Sequence, residues 1–150
     1  MPDISSTIVD LCTGMGAVAL YRSLPEEPNT ETAIRQLGAA GVQVLLPGSF
    51  TDICWTRFTS MGQTELEDPE ALRAAELIVV PALAVSSDGV RLGRGGGWYD
   101  RALHFATPGT PIWAAVRAVE VLTELPAEPH DVRVSGVITE NGTVKTKTAQ

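Results

Sequence analysis

From position 91 to 101 the chain reads Arg-Leu-Gly-Arg-Gly-Gly-Gly-Trp-Tyr-Asp-Arg, with four glycines, three arginines and one acid in eleven positions. Glycines let backbone N–H groups turn toward an anion with no Cβ in the way, and a helix beginning there adds its positive end. Arg91, Arg94 and Arg101 supply planar forks that match phosphate oxygens, and Asp100 is placed to hold the divalent cation that accompanies a nucleotide. The run is therefore a candidate phosphate cradle. It is neither a Walker A loop, which ends in Gly-Lys-Ser or Gly-Lys-Thr, nor the dinucleotide fingerprint, which needs glycine where Trp98 stands. A glycine-rich strand-to-helix turn with solvated arginines is the plain alternative.

Composition narrows what such a cradle serves. The 150 residues suit a single domain over 1–150, and 44% hydrophobic against 19% charged content is that of an ordinary globular chain. A net charge of −7 argues against nucleic acid and membrane surfaces as partners, because both attract through summed positive charge. Cys12 and Cys54 are too few and too far apart for a disulfide framework or a zinc site. No apolar run approaches the roughly 20 residues that span a bilayer, and the start lacks the basic residues of a secretory signal, so a cytoplasmic protein is expected.

Apolar segments alternate with helix-like ones, and these must position the cradle. Ser5 or Ser6 caps a short helix through Cys12, Ala17 to Tyr21 reads as a buried strand, and Pro25 and Pro28 punctuate a loop. Thr30 caps a helix carrying Ala33, Ile34 and Leu37, and a strand Val42 to Leu46 follows. Gly48 to Glu67 is irregular and polar, which predicts a surface excursion, and Asp68-Pro69 starts a helix. Strand Leu77 to Val80 leads to the glycine-rich run and a helix containing Tyr99, Leu103 and His104. Ile112 to Val116 is a further strand, Val119 to Leu122 a short helix, Val137-Ile138 a last strand, and 143–150 a frayed tail. Strands with little internal alternation separated by helices predict an α/β fold with a parallel sheet covered on both faces. Ligands of such sheets sit at the carboxyl ends of the strands, where the glycine-rich run falls.

These residues also carry a resemblance. Val80-Pro81-Ala82-Leu83-Ala84, a short hairpin at Asp88-Gly89 and the run 91–101 resemble the signature of the 5-formyltetrahydrofolate cyclo-ligase family, also called methenyltetrahydrofolate synthetase. Two more stretches follow in the family's order. One is Tyr21 with Glu27-Pro28-Asn29-Thr30 ahead of a helix and a strand ending Leu46-Pro47, and the other is Pro126 to Asp131 before Val137-Ile138-Thr139-Glu140. The likeness runs from about Ala17 to Gly142. It implies a three-layer Rossmann-like sandwich with a mostly parallel central sheet, similar to CoA transferases. It implies ATP- and Mg2+-dependent closure of 5-formyltetrahydrofolate to 5,10-methenyltetrahydrofolate, with release of ADP and phosphate. In that chemistry the formyl oxygen is phosphorylated to a leaving group and N10 attacks the activated carbon.

Residue by residue, the resemblance implies ATP contacts from Arg91, Leu92, Gly93, Arg94, Gly95, Gly96, Gly97, Trp98 and Tyr99, with Arg94 and Tyr99 in catalytic contact. It implies folate contacts from Arg22, Glu27, Gly95, Gly96, Gly97 and Trp98, and a magnesium pair of Asp100 and Asp131. Two hard carboxylates suit Mg2+, which keeps several waters and takes few protein ligands. Alternatives stand beside these roles. Asp100 also favours the first turn of its helix, worth up to ~1 kcal/mol, Glu26 and Glu27 read as a solvated acidic pair, Trp55 and Trp98 read as core, and His130 as a loop histidine. Relatives begin with a further basic helix that contacts ATP. The chain shows no such segment, so a truncated or partner-completed copy, or a degenerate folate- or nucleotide-binding homologue, are the other expectations. A monomer or weak homodimer is expected.

Overall fold

The computed structural model describes residues 3–129 and 131–147, and His130 lies outside the described residues. Five parallel strands form the centre of one sheet: β1 (Ala17–Ala19), β2 (Gln43–Pro47), β5 (Ile78–Pro81), β8 (Ile112–Ala115) and β10 (Gly136–Thr139). Antiparallel strands extend both edges, β3 (Trp55–Thr59) and β4 (Gly62–Gln63) beyond β2, and β11 (Gly142–Lys145) beyond β10. The order across is β11-β10-β8-β5-β1-β2-β3-β4. A second, three-stranded sheet places β7 (Arg91–Leu92) and β9 (Val121–Leu122) on either side of β6 (Ala84–Ser86).

The central strands are apolar throughout because both faces are covered. Val18, Val44, Leu46, Val79, Ala115 and Ile138 pack into one cluster with Ile4, Ile8 and Cys12 around helix α1 (Ser5–Cys12) and Ala33, Ile34 and Leu37 of helix α2 (Glu31–Ala39). Their neighbours Ala19, Leu45, Ile78, Val80, Ala114 and Val137 point into a second cluster. That cluster is completed by Leu72 of a 3-10 turn (Pro69–Ala74) and by Trp98, Tyr99 and Ala102 of helix α3 (Trp98–Ala102). The result is the expected α/β fold with a large, mostly parallel sheet between two layers.

Several elements differ from the sequence expectation. Gly48 to Glu67 is not an excursion: Trp55 is 1% exposed, exchanges backbone hydrogen bonds with Glu67, and begins the β3–β4 hairpin that widens the sheet. Its polar composition reflects an edge with solvent on part of its surface. Residues 143–147 are not frayed, since Gly142–Lys145 pairs with β10, Thr146 is buried with its hydroxyl on the Val134 carbonyl, and Lys147 N–H donates to Ser87 O. Residues 148–150 lie outside the described residues. Val119 to Leu122 divides into a 3-10 turn (Ala118–Glu120) and β9, whose register opposite Val85 and Ser86 the local pattern does not encode. Asp68-Pro69 opens a 3-10 turn rather than an α-helix.

Ser5 is not a cap either. It is buried, its hydroxyl accepts from Ala33 N–H at 3.1 Å, and it thereby ties α1 to α2, while Asp3 accepts from Ser5 N–H at 2.9 Å. At α2 the first N–H goes to Asn29 Oδ1 at 2.9 Å, and the buried Thr30 hydroxyl donates instead to the Tyr21 carbonyl. That bond fastens the end of the β1 segment to the helix start, so the loop between them closes over a short span.

Close packing between β10 and β8 makes one substitution diagnostic. A Cβ on Gly136 would run into the six-membered ring of Trp113 on the neighbouring strand. Overpacking of this kind typically costs about 1–3 kcal/mol, so Gly136→Ala is expected to lower the urea midpoint by that equivalent without changing the far-ultraviolet spectrum. An unchanged midpoint would show that Trp113 swings aside freely.

Candidate functional site

The glycine-rich run is anchored by the residue that opens it. Arg91 sits in β7, paired opposite Val85 of β6, and the Ser86, Asp88 and Gly89 turn that joins the two strands holds its register. The Arg91 side chain is 5% exposed. Its Nη1 donates to the carbonyl of Pro81 at the carboxyl end of β5 at 3.0 Å, its Nη2 lies 3.7 Å from Asp100 Oδ1, and its Cζ lies 5.4 Å from the centre of the Tyr99 ring. Burial works against the charge, and Asp100, Tyr99 and Asp131 work for it. Asp100 and Asp131, from segments 31 residues apart (131 minus 100), therefore act on one guanidinium.

Glycines serve different purposes within the loop. At Gly93 a Cβ would stand 3.0 Å from Arg91 Nη1, so the residue keeps room for the buried guanidinium. Gly95 and Gly97 adopt φ of +101° and +69°, the left-handed region that favours glycine. At Gly95 and Gly96 a Cβ would meet nothing within 4 Å, so the loop presents bare backbone to open space, as an anion cradle requires. Arg101 Nη1 closes the turn on Gly96 O at 3.0 Å. The α3 helix that follows has five residues and passes into a 3-10 turn (Leu103–Phe105), so its dipole adds less than a full helix would. A depression of about 230 Å3 lined by Gly97, Asp100, Arg101 and His104 lies beside it.

The acidic side of the site comes from the loop after β1. Glu27 has a side chain 10% exposed, accepts from Leu24 N–H at 2.8 Å through Oε1, and offers Oε2 to Arg94 Nη2 at 3.6 Å. The same Nη2 reaches Glu26 Oε1 at 3.4 Å. Glu27 is thus not one of a solvated pair, and Arg94 bridges the glycine loop to the Pro25–Pro28 loop. Counting Arg91, Arg94 and Arg101 against Glu26, Glu27, Asp100 and Asp131, the site holds three positive and four negative groups, a net of −1. A highly charged anion then needs a divalent cation beside the carboxylates, and their hard oxygens suit one.

Trp98 belongs to both core and site. Its Nε1 donates to Asp52 O at 2.9 Å, and its ring makes edge contacts with Trp55 at 5.3 Å, Tyr99 at 4.9 Å and the exposed Phe50 at 6.2 Å. Asp131 Oδ2 accepts from Glu128 N–H at 2.8 Å. Arg22 is not brought to this group by its contacts: it pairs with Glu31 of α2 at 2.7 Å and reaches Gln63 of β4 at 3.4 Å.

Comparison with known proteins places these features in a family setting. The model of the 5-formyltetrahydrofolate cyclo-ligase family matches residues 7–140. A 5-formyltetrahydrofolate cyclo-ligase of Mycolicibacterium smegmatis is 37% identical over 140 residues, covering 81% of this chain and 72% of the relative. A 5,10-methenyltetrahydrofolate synthetase from Aquifex aeolicus superposes with a TM-score of 0.72 at 21% identity, over 96% of this chain and 81% of that one. A synthetase of the same name from Mycoplasma pneumoniae gives 0.72 at 20%, over 91% and 82%. The two solved structures are similar in fold.

Sequence reasoning did not single out the Tyr21 hydroxyl. Tyr21 and Tyr99 are buried, and neither hydroxyl has a hydrogen-bond partner among the described residues. The available signal was a polar-tipped aromatic closing the apolar run 17–21, just ahead of Glu27. Desolvation raises both phenols far above their ordinary range, with Glu27 adding to the effect. Desolvation likewise pushes the buried Cys12 thiol from 9.0 up to about 12. An acid whose proton is held more tightly in the folded state supports folding below its unfolded pKa, and that support is lost as pH rises through the folded value. Stability is therefore expected to fall steadily from about pH 9 upward, as read by urea midpoints. Cys12→Ala should weaken that dependence between pH 9 and 12, and an unchanged slope would remove the thiol from the account.

Proposed function

This chain belongs to the 5-formyltetrahydrofolate cyclo-ligase family, and we propose that it closes 5-formyltetrahydrofolate to 5,10-methenyltetrahydrofolate at the expense of ATP, with Mg2+, in the cytoplasm. One observation carries the reading. An exposed glycine backbone between Arg91 and Arg101 is joined through Arg94 to the buried carboxylate of Glu27, so a phosphate cradle borders an acid suited to a pterin.

The residues fit both groups. The bare backbone of Gly95 and Gly96, flanked by Leu92, Gly93 and Gly97, would take the triphosphate, and Arg91, Arg94 and Arg101 would supply its counter-charge. Asp100 and Asp131 would hold Mg2+, with phosphate oxygens and water filling the other positions. Bound nucleotide and metal supply the phosphoryl group that converts the formyl oxygen into a leaving group, so that N10 can close the ring.

The chain itself binds, orients and shields. Glu27 accepts hydrogen bonds from the N–H donors of the pterin ring, and Gly95 to Trp98 border the same substrate. Arg94 faces two demands, for it neutralises Glu27 in the empty site and is the half-exposed arginine of the loop, free to turn toward phosphate. Its transfer from Glu26 and Glu27 to the nucleotide releases Glu27 for the pterin. Tyr99, buried against Arg91, holds that guanidinium in line with the loop. Arg22 would act at the outer end of the folate, exchanging Glu31 for the substrate. Phosphoryl transfer asks mainly for such positioning and charge neutralisation.

Purified protein with ATP, Mg2+ and 5-formyltetrahydrofolate is expected to show the absorbance rise of methenyltetrahydrofolate. Tight folate binding with no product would leave a silent binding protein. Asp100→Asn is expected to cut turnover by about a hundredfold or more and to raise the Mg2+ concentration for half-maximal rate, with some fall in the thermal midpoint as well, because the carboxylate also faces the buried Arg91 guanidinium. Loss of stability with an unaltered Mg2+ requirement would assign Asp100 to the helix start instead.

A further inference from the structure

Arg94 joins the glycine loop to the Pro25–Pro28 loop through a single nitrogen. Its Nη2 lies 3.4 Å from Glu26 Oε1 and 3.6 Å from Glu27 Oε2. The two carboxylates are not equivalent. Glu26 has a side chain 60% exposed and keeps its water whichever way the arginine points. The Glu27 side chain is 10% exposed, and its other oxygen already accepts from Leu24 N–H at 2.8 Å. Among the described residues, Arg94 is the cation paired with Glu27. Turning the arginine away therefore leaves a largely desolvated carboxylate without its counter-charge, a cost that water offsets only in part. On its own side the turn is easy. Arg94 is half-exposed and stands between Gly93 and Gly95, next to the bare backbone of Gly95 and Gly96.

Resting on the cyclo-ligase reading above, we propose that Arg94 is an interlock that makes the binding of nucleotide and the binding of folate depend on each other. Nucleotide arriving alone must draw Arg94 from Glu27 and strand that carboxylate. Folate arriving alone must offer its pterin N–H donors to a carboxylate still paired with the guanidinium. With both bound, the phosphates take the arginine and the pterin donors take Glu27, so neither charge is left uncompensated. Linkage then requires that nucleotide tighten folate by the same factor as folate tightens nucleotide. The two-state element is the side chain itself, with Glu26 and Glu27 as one set of partners and phosphate as the other. Because the bridge is long and exposed on the arginine side, the factor lies at the low end of such couplings, about fivefold.

Calorimetric titration of wild type and Arg94→Gln with 5-formyltetrahydrofolate tests this, each with and without Mg2+ and a saturating non-hydrolysable ATP analogue. Wild type is expected to bind the folate about fivefold more tightly when the analogue is present. Arg94→Gln is expected to bind folate alone about as tightly as wild type does with the analogue, because nothing then competes for Glu27, and to gain no more when the analogue is added. An arginine that served only the phosphates would weaken analogue binding in the variant and leave its binding of folate alone unchanged. That result overturns the interlock, as does a nucleotide effect on folate that survives the substitution, or wild-type folate affinity indifferent to nucleotide. Glu26→Gln keeps the Glu27 pair and is expected to keep the fivefold ratio; loss of the ratio there would assign the coupling to the net charge of the loop and overturn the role of Glu27. Failure of the catalytic reading is distinct: wild type then forms no product while the nucleotide dependence of folate binding persists. Wild-type protein that binds no folate overturns both.

Discussion

A guanidinium cannot be taken out of water without compensation, and the site depends on how Arg91 obtains it. Desolvating an ion costs several kcal/mol even after relaxation, so every neighbour of this side chain is constrained to offset that cost. The Pro81 carbonyl, the Asp100 carboxylate and the Tyr99 ring supply the compensation at 3.0, 3.7 and 5.4 Å. Each contact also determines a position. The bond to Pro81 docks the small sheet on the carboxyl end of β5, the pair with Asp100 orients α3, and the guanidinium leaves tight clearance for a side chain at position 93. The loop between Arg91 and Trp98 is free to present its backbone because both of its ends are held.

The central sheet supplies the second constraint. β1 and β5 are adjacent and parallel, so the segments leaving their carboxyl ends emerge side by side. One carries Tyr21 and Glu27, and the other leads to the β6–β7 hairpin and the glycines. Neither segment contains the other's chemistry, and the pocket exists because two neighbouring strands deliver them to one rim. Beneath it, two apolar layers hold the strands rigid enough for an Arg94 bridge of 3.4 and 3.6 Å to Glu26 and Glu27 to span the loops. The Arg94 side chain is half-exposed, so solvent screens its side of the bridge, and contacts of that length contribute little to stability.

Much of this was legible from the chain. The strand-like runs at 17–21, 42–46, 77–80 and 112–116 declared themselves because a strand covered on both faces must be apolar without alternation. The glycine-rich run was legible because its chemistry is contiguous, and Asp100 lies within it. The β3–β4 hairpin and β11 were not, since an edge strand is half solvated and its pairing partner is chosen by a neighbour distant in sequence. β9 shows the same limit, for nothing in Val121-Leu122 states that β6 lies alongside. Ser5 and Thr30 looked like caps because cap chemistry is local, whereas their actual partners on Ala33 and Tyr21 arise from helix packing and loop closure.

What the amino-acid sequence determined by itself is the class of fold, the glycine- and arginine-rich character of 91–101 and the acidic residues Glu27, Asp100 and Asp131. These follow from periodicity and from residue types close together along the chain. Only the tertiary structure decided which of those groups meet. It set Arg91 between Asp100 and the influence of Asp131, gave Arg94 to Glu26 and Glu27, held Arg22 on Glu31, and left the Tyr21 hydroxyl buried with no hydrogen-bond partner among the described residues. The reason is physical: desolvation and charge pairing act through space, and the distances that govern them are set by strand order.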